Sequence, residues 1–141
     1  MKLKQISVFL ENKKGRLHEV CDILGKNDIN IRALTIAESE DFGVLRMIVD
    51  KPEQTLEILR EKGFVVRFSD IVAVEVEDKP GGLAEVLKVL RENDINVEYM
   101  YGFVEKKADK ALVVFRFDEP DKVVNVLKEN GIGILEELEG L

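Results

Sequence analysis

The chain is poor in the residues that most often announce chemistry. Among its 141 residues there is one cysteine, Cys21, and one histidine, His18. A single thiol excludes an intrachain disulfide and a zinc cluster built on cysteines. Neither half carries an extended block of Lys and Arg free of interleaved acids, and the formal net charge is -7. Binding a phosphate backbone needs a basic patch, so nucleic acid is not expected as a partner. No apolar run approaches the roughly 18 residues of a membrane span. The start, Met1-Lys2-Leu3-Lys4-Gln5, leads into a strand broken by Glu11 rather than into a signal peptide. A cytoplasmic protein with no membrane partner is the expectation. Glutamine stands only at positions 5 and 54 against many Glu and Lys, a balance resembling that of thermophile proteins.

What is present is a repeat. Asp78-Lys79-Pro80-Gly81-Gly82-Leu83 has an earlier copy in Asn12-Lys13-Lys14-Gly15-Arg16-Leu17. Each follows an apolar alternation and precedes an amphipathic segment ending in Asn-Asp-Ile-Asn. The chain is therefore read as two domains, 1–69 and 70–141. In the first, Ile6, Val8 and Leu10 alternate along a strand over 4–11, and Leu17, Val20, Cys21 and Leu24 form a helix stripe. A strand over 29–38, a turn at Asp41-Phe42-Gly43 and a strand over 44–49 follow. Asp50 is expected to cap a second helix with Pro52 in its first turn, Leu56 and Leu59 inside and Gly63 at its end. A fourth strand, 64–68, closes the unit. After a two-residue linker, Ser69-Asp70, the pattern restarts with a strand over 71–77. The stripe Leu83, Val86, Leu87, Leu90 follows, then strands over 97–104 and 111–117 joined by an exposed loop over 105–109. A helix opened by Pro120 carries Val123, Val124 and Leu127 inside and ends at Gly131. The order β-α-β-β-α-β, taken twice, is that of a ferredoxin-like α+β sandwich.

With these residues in place the chain resembles the ACT domain, a regulatory amino-acid-binding module, as a tandem pair. The resemblance rests on the element order, on the loop of Asp/Asn-x-Pro-Gly-x-Leu type and on the Asn-Ile-Asn-like ending before the second strand. Asp78, Pro80, Gly81, Leu83, Ile95 and Asn96 match it well; in the first copy Lys14 stands where the family commonly has Pro, and Arg16 follows Gly15. The resemblance implies two units packed side by side through their second strands, 31–38 against 97–104, in an eight-stranded antiparallel sheet with helices on one face. It also implies two amino-acid sites where a strand-to-helix loop meets the neighbouring unit. One would use Asn12, Gly15, Arg16 and Asn30 opposite the strand Val97 to Tyr101, the other Asp78, Gly81, Gly82 and Asn96 opposite Ile31 to Thr35.

A free amino acid presents a carboxylate beside an ammonium, so its site needs clustered donors and a nearby acceptor. Uncovered N-H groups at a helix start supply the donors, and Asn or Asp the acceptor. The glycines are expected where a Cβ would crowd the ligand, or simply to make turns. Arg16 should make the first loop favour a carboxylate, while Asp78 should make the second favour an ammonium. Leu17, His18, Leu83 and Tyr99 complete the candidate ligand set. His18 lies one turn into its helix, as a ligand contact or a partly exposed structural histidine. Tyr99 and Tyr101 wall a pocket or pack a seam that Phe103 continues.

His18, Cys21 and Asp22 could be read as a nucleophile or metal group. Their counterparts Ala84, Leu87 and Lys88 argue against both, and Cys21 is assigned to the core. No catalytic residue, metal or cofactor is expected. On the sheet face away from the helices, Phe9, Val44, Ile48, Ala73, Leu112 and Val114 form an apolar patch predicted to bind a second copy or another protein. The leading expectation is a non-enzymatic amino-acid sensor, a homodimer acting on a regulated enzyme or other protein. A protein-protein interaction module without a ligand is the alternative. An enzyme on the same scaffold is a third reading, with no phosphate loop and no paired nucleophile and base to support it.

Overall fold

The computed structural model describes residues 3–39 and 41–138. The alternation at the start of the chain forms β1 (Leu3–Glu11), with Ile6, Val8 and Leu10 all buried. It is followed by α1 (Arg16–Lys26), β2 (Ile31–Glu38), β3 (Phe42–Val49), α2 (Pro52–Glu61) and β4 (Val65–Glu77). The second round brings α3 (Gly82–Glu92), β5 (Val97–Lys107), β6 (Lys110–Phe117), α4 (Pro120–Glu129) and a short β7 (Ile134–Leu135). The contacts divide the chain into two compact units, Lys4–Ser69 and a second from Asp70 onward that takes in Leu3.

Each unit has the same antiparallel connectivity. In the first, β1 pairs with β3, β3 with β2, and β1 also with β4, giving β4-β1-β3-β2. In the second, β4 pairs with β6 and β6 with β5, while β7 lies on the other side of β4, giving β7-β4-β6-β5. Even the irregularities recur: β2 slips register between Ile31 and Ala33, and β5 between Val97 and Tyr99.

Alternate residues of each sheet meet the helices in a separate core. The first core joins Ile6, Val8 and Leu10 to Leu45, Met47 and Val49 of β3, Val20 and Leu24 of α1, and Leu59 of α2. The second joins Val72, Val74 and Val76 to Phe115 and Phe117, Val86 and Leu90 of α3, and Leu127 of α4. Residues two apart on a strand share a face, which stacks the Phe115 and Phe117 rings 5.5 Å apart and 5° from parallel. Each large aliphatic side chain so buried contributes roughly 1.5–3 kcal/mol.

The Asn-Asp-Ile-Asn segments end α1 and α3 identically. The Ile29 amide donates to Leu24 O at 3.0 Å and that of Ile95 to Leu90 O at 2.9 Å. This closing bond requires a left-handed residue before it, here Asp28 (φ 57°) and Asp94 (φ 56°). Lys51 Nζ donates to Asp28 O at 2.8 Å and stands 3.6 Å from its carboxylate. Glu119 takes the place of Lys51 before α4.

Several expectations are corrected. Asp50 does not cap α2: Lys51 is the N-cap residue, and Asp50 Oδ1 instead accepts the Asn30 amide at 3.0 Å. The fourth strand, the two-residue linker and the fifth strand are one continuous strand, β4, so the described strands number seven. Residues 105–107 extend β5, leaving a turn at Ala108, whose φ is 56°, and Asp109. The predicted turn residues Phe42 and Gly43 open β3 instead. The apolar patch on the far face is largely covered: Ile48, Ala73, Leu112 and Val114 are at most 2% exposed. In the second unit Ala73 and Leu112 pack with Leu135, against which Leu3, Phe103 and Leu138 also pack. Val44 is half-buried and Phe9 stays 39% exposed, with the Arg67 guanidinium 5.5 Å from its ring.

Candidate functional site

Between β1 and α1 the chain turns through Gly15, and between β4 and α3 through Gly81, at φ 87° and 83°. Both conformations are left-handed, and the space a Cβ would take at each is empty to 4 Å. The glycine requirement is thus conformational and not a matter of crowding within the protein. Each glycine is itself the helix N-cap, and with no side chain it makes no capping hydrogen bond. The first N-H groups of α1 and α3 accordingly lack a side-chain acceptor. Gly82 differs from its neighbour. A Cβ there would lie 1.9 Å from Glu77 O, because the start of α3 presses against the end of β4.

In the first unit the loop borders a cavity of about 220 Å³. Asn12, Arg16 and Leu17 line it, as predicted residues, together with Leu10, Glu11, Lys13, Ile36, Glu38 and Gly43. The hairpin explains the additional residues. Gly43 of β3 stands between Leu10 of β1 and Glu38 of β2, so the ends of three strands meet beside the loop. That adjacency follows from the predicted hairpin, which would have been the signal for Glu38. Leu17, at the start of the predicted helix stripe, is 40% exposed, and Ile36 is 43% exposed. These two supply an apolar wall.

The charges of this cavity are partly committed. Lys13 Nζ lies 2.7 Å from Glu11 Oε2. Its hydrogen bond, and then its charge, hold the Glu11 carboxyl below the ordinary carboxylate range, with a smaller contribution from Arg16. Arg16 Nη1 donates to Glu19 Oε2 at 2.8 Å, and its guanidinium lies 5.1 Å from the centre of the Phe64 ring. Arg16 Nε is shielded from solvent and has no acceptor among the described residues.

The other predicted residues are not all brought together. Asn30 and Asn96 begin at the far ends of α1 and α3 from the glycine turns, about 16 Å away for an 11-residue helix. Asn30 pairs there with Asp50, and Asn96 lines separate hollows beside Asp94 and Ile95. His18 is exposed on α1 and does not line the cavity. Tyr99 pairs with Arg116 and so lies on the sheet face opposite Phe115 and α3; Phe103 on that face packs with the Ala73 cluster. Asp78 is ion-paired to Lys106, so its charge is not free to hold an ammonium. Leu83 is half-buried against the second core. Cys21 is half-buried, and burial raises its thiol pKa, the reverse of what a nucleophile needs. No helix among the described residues is long and apolar enough to cross a membrane.

Comparison with known proteins agrees with this architecture. A protein of known structure from Bacteroides thetaiotaomicron is 44% identical, with a TM-score of 0.90 over 96% of this chain and 92% of its own. The ligand-free regulatory subunit of aspartate kinase from Thermus thermophilus is 14% identical, with a TM-score of 0.64 over 89% and 91%. The corresponding subunit from Thermus flavus is 12% identical, with a TM-score of 0.59 over 89% and 90%. At such identities these last two bear on the fold alone. No curated protein matches the chain. The family model described as an ACT domain pair matches residues 1–140, and the chain belongs to that family.

Proposed function

We propose that the protein is a non-enzymatic, cytoplasmic regulatory module that binds a free amino acid at the strand-to-helix loop of its first unit. The cavity beside Gly15 carries this reading, because it gathers what a zwitterion requires. The uncapped start of α1 offers donors to the carboxylate, and the Arg16 guanidinium in the cavity wall adds positive charge beside them. Asn12 and Glu38 offer acceptors to the ammonium, and Leu10, Leu17 and Ile36 an apolar wall to the side chain. Its volume, about 220 Å³, falls below the roughly 300–1,000 Å³ of drug-sized pockets, which suits one amino acid. In the same reading the chain works as a homodimer that reports to a regulated enzyme or another protein. Exposed Phe42, Val65 and Val104 are the apolar groups such contacts would cover.

The test is thermal unfolding of ligand-stripped protein against each of the twenty amino acids. At a hundred times its dissociation constant a ligand stabilises by about 2.7 kcal/mol. At least one amino acid is expected to raise the melting temperature of the native protein and to have a smaller effect on Arg16→Ala. If none of the twenty raises it, the reading fails.

A further inference from the structure

The cavity beside Gly15 has walls that discriminate among amino acids. Leu10 of β1, Leu17 of α1 and Ile36 of β2 converge on it. The Ile36 side chain lies across Gly43, its Cδ1 3.4 Å from the point a Cβ would occupy there, and Gly43 pairs with Leu10. Ile36 is thereby held over the end of β3, toward the loop. It and Leu17 are left 43% and 40% exposed, whereas Leu10 is buried. A ligand that covers both open side chains with apolar groups of its own gains about fourfold in affinity for each methylene it buries.

The volume limits how large that ligand is. A cavity of about 150 Å³ lined by Leu, Ile and Phe takes up benzene, which sets about 25 Å³ for each non-hydrogen atom. By that measure the cavity of about 220 Å³ holds about nine such atoms, the size of leucine or isoleucine. Valine falls just short of this, alanine leaves the apolar wall largely bare, and phenylalanine is too large. The charges in the wall turn away a polar side chain of the same size. Lys13 is held by Glu11 at 2.7 Å and Arg16 by Glu19 at 2.8 Å. The remaining charged residue of the lining is Glu38, whose carboxylate repels an acidic side chain. With Glu38 turned to the ligand's ammonium, no second uncommitted carboxylate stands in the lining for a basic one.

The duplicated unit lacks this wall. Gly102 pairs with Val113 as Ile36 pairs with Leu45, so a hydrogen stands in place of the isoleucine side chain. Leu83, the counterpart of Leu17, packs against the second core.

We infer that the first-unit cavity selects a branched aliphatic amino acid, leucine, isoleucine or valine, at one molecule per chain, and that Ile36 sets the preference. This rests on the reading that the Gly15 loop holds an amino acid, and it adds which kind. The ligand's side chain lies between Leu10, Leu17 and Ile36, and its charged end stays at the start of α1.

Calorimetric titration of the ligand-stripped full chain with each of the twenty amino acids tests it. The branched aliphatic three should bind most tightly, at one molecule per chain, and leucine at least about tenfold more tightly than alanine. Valine should exceed threonine, its isostere with a hydroxyl in place of a methyl, by about tenfold or more. Ile36→Ala should weaken leucine by about tenfold or more and leave alanine within about twofold. Amide chemical shifts should move with leucine at Leu17, Ile36 and Gly43 and stay fixed at Gly81 and Gly102. A polar, charged or aromatic amino acid that moves the same shifts and binds as tightly as leucine and valine overturns the preference while the amino-acid reading stands; binding by none of the twenty overturns both. Equal affinity for valine and threonine, leucine shifts confined to the second unit, or unchanged leucine affinity in Ile36→Ala also overturns the inference.

Discussion

Gly81 and Gly82 are adjacent, and alanine at each should destabilise the second unit for a different reason and by a different amount. At Gly81 the added Cβ meets nothing within 4 Å, so the cost is the left-handed backbone alone, about 1–2 kcal/mol for an L-residue. Restricting the unfolded chain returns about 0.4–1 kcal/mol, which leaves a net loss of about 1 kcal/mol. Asparagine tolerates this conformation better, so Gly81→Asn should cost less than Gly81→Ala. At Gly82 the φ is unremarkable, but the Cβ would lie 1.9 Å from Glu77 O, a backbone atom that cannot swing away. The start of α3 or the end of β4 must move by about an ångström, and overpacking of that kind costs about 1–3 kcal/mol. The expected order of stability is native, Gly81→Asn, Gly81→Ala, Gly82→Ala. Urea unfolding followed by tyrosine fluorescence reads it directly, because the chain has no tryptophan and its two tyrosines, Tyr99 and Tyr101, both lie on β5. A Gly82→Ala variant as stable as the native protein, or more stable than Gly81→Ala, would refute the close approach of α3 to Glu77.

Two further outcomes can be checked. Val114→Asp places a carboxylate at a fully buried position and should cost about 3 kcal/mol or more in urea unfolding; an open docking face would instead leave stability unchanged. Glu11 titrates low in the folded protein because Lys13 donates to it, so its contribution to stability is complete above the ordinary Glu range and fades as pH falls through the lowered value. Lys13→Met should move the Glu11 carboxyl shift midpoint upward toward the ordinary value, and an unmoved midpoint would assign the effect to another group.

The fold was legible because its signals were local and doubled. Alternation at Ile6, Val8 and Leu10 recurs at Val72, Val74 and Val76, and one turn chemistry stands before both α1 and α3, so each copy checks the other. Strand ends were not legible where continuation costs nothing. Ser69-Asp70 reads as a linker but lies inside β4, and Glu105-Lys106-Lys107 reads as a loop but lengthens β5, since polar residues on a solvated strand look like either. The lining of the first-unit cavity was legible near the loop and not away from it. Asn12, Arg16 and Leu17 were found by proximity in sequence, whereas Asn30 and Asn96 were carried in by the motif although a helix length separates them from the glycines. The far face misled because burial there depends on residues distant in sequence, such as Leu135 and Leu138, that no strand period reveals.

The twin aspartate turns closing α1 and α3 imply unequal fraying. Both place a negative side chain at the negative end of a helix in a backbone conformation it dislikes. Lys51 steadies the first through Asp28, whereas Glu119 in the equivalent place cannot donate such a bond to Asp94. Amide protons around Asn93–Asn96 should therefore exchange with solvent sooner than those around Asn27–Asn30, which makes the start of β5 the part of the duplicated pattern most ready to loosen.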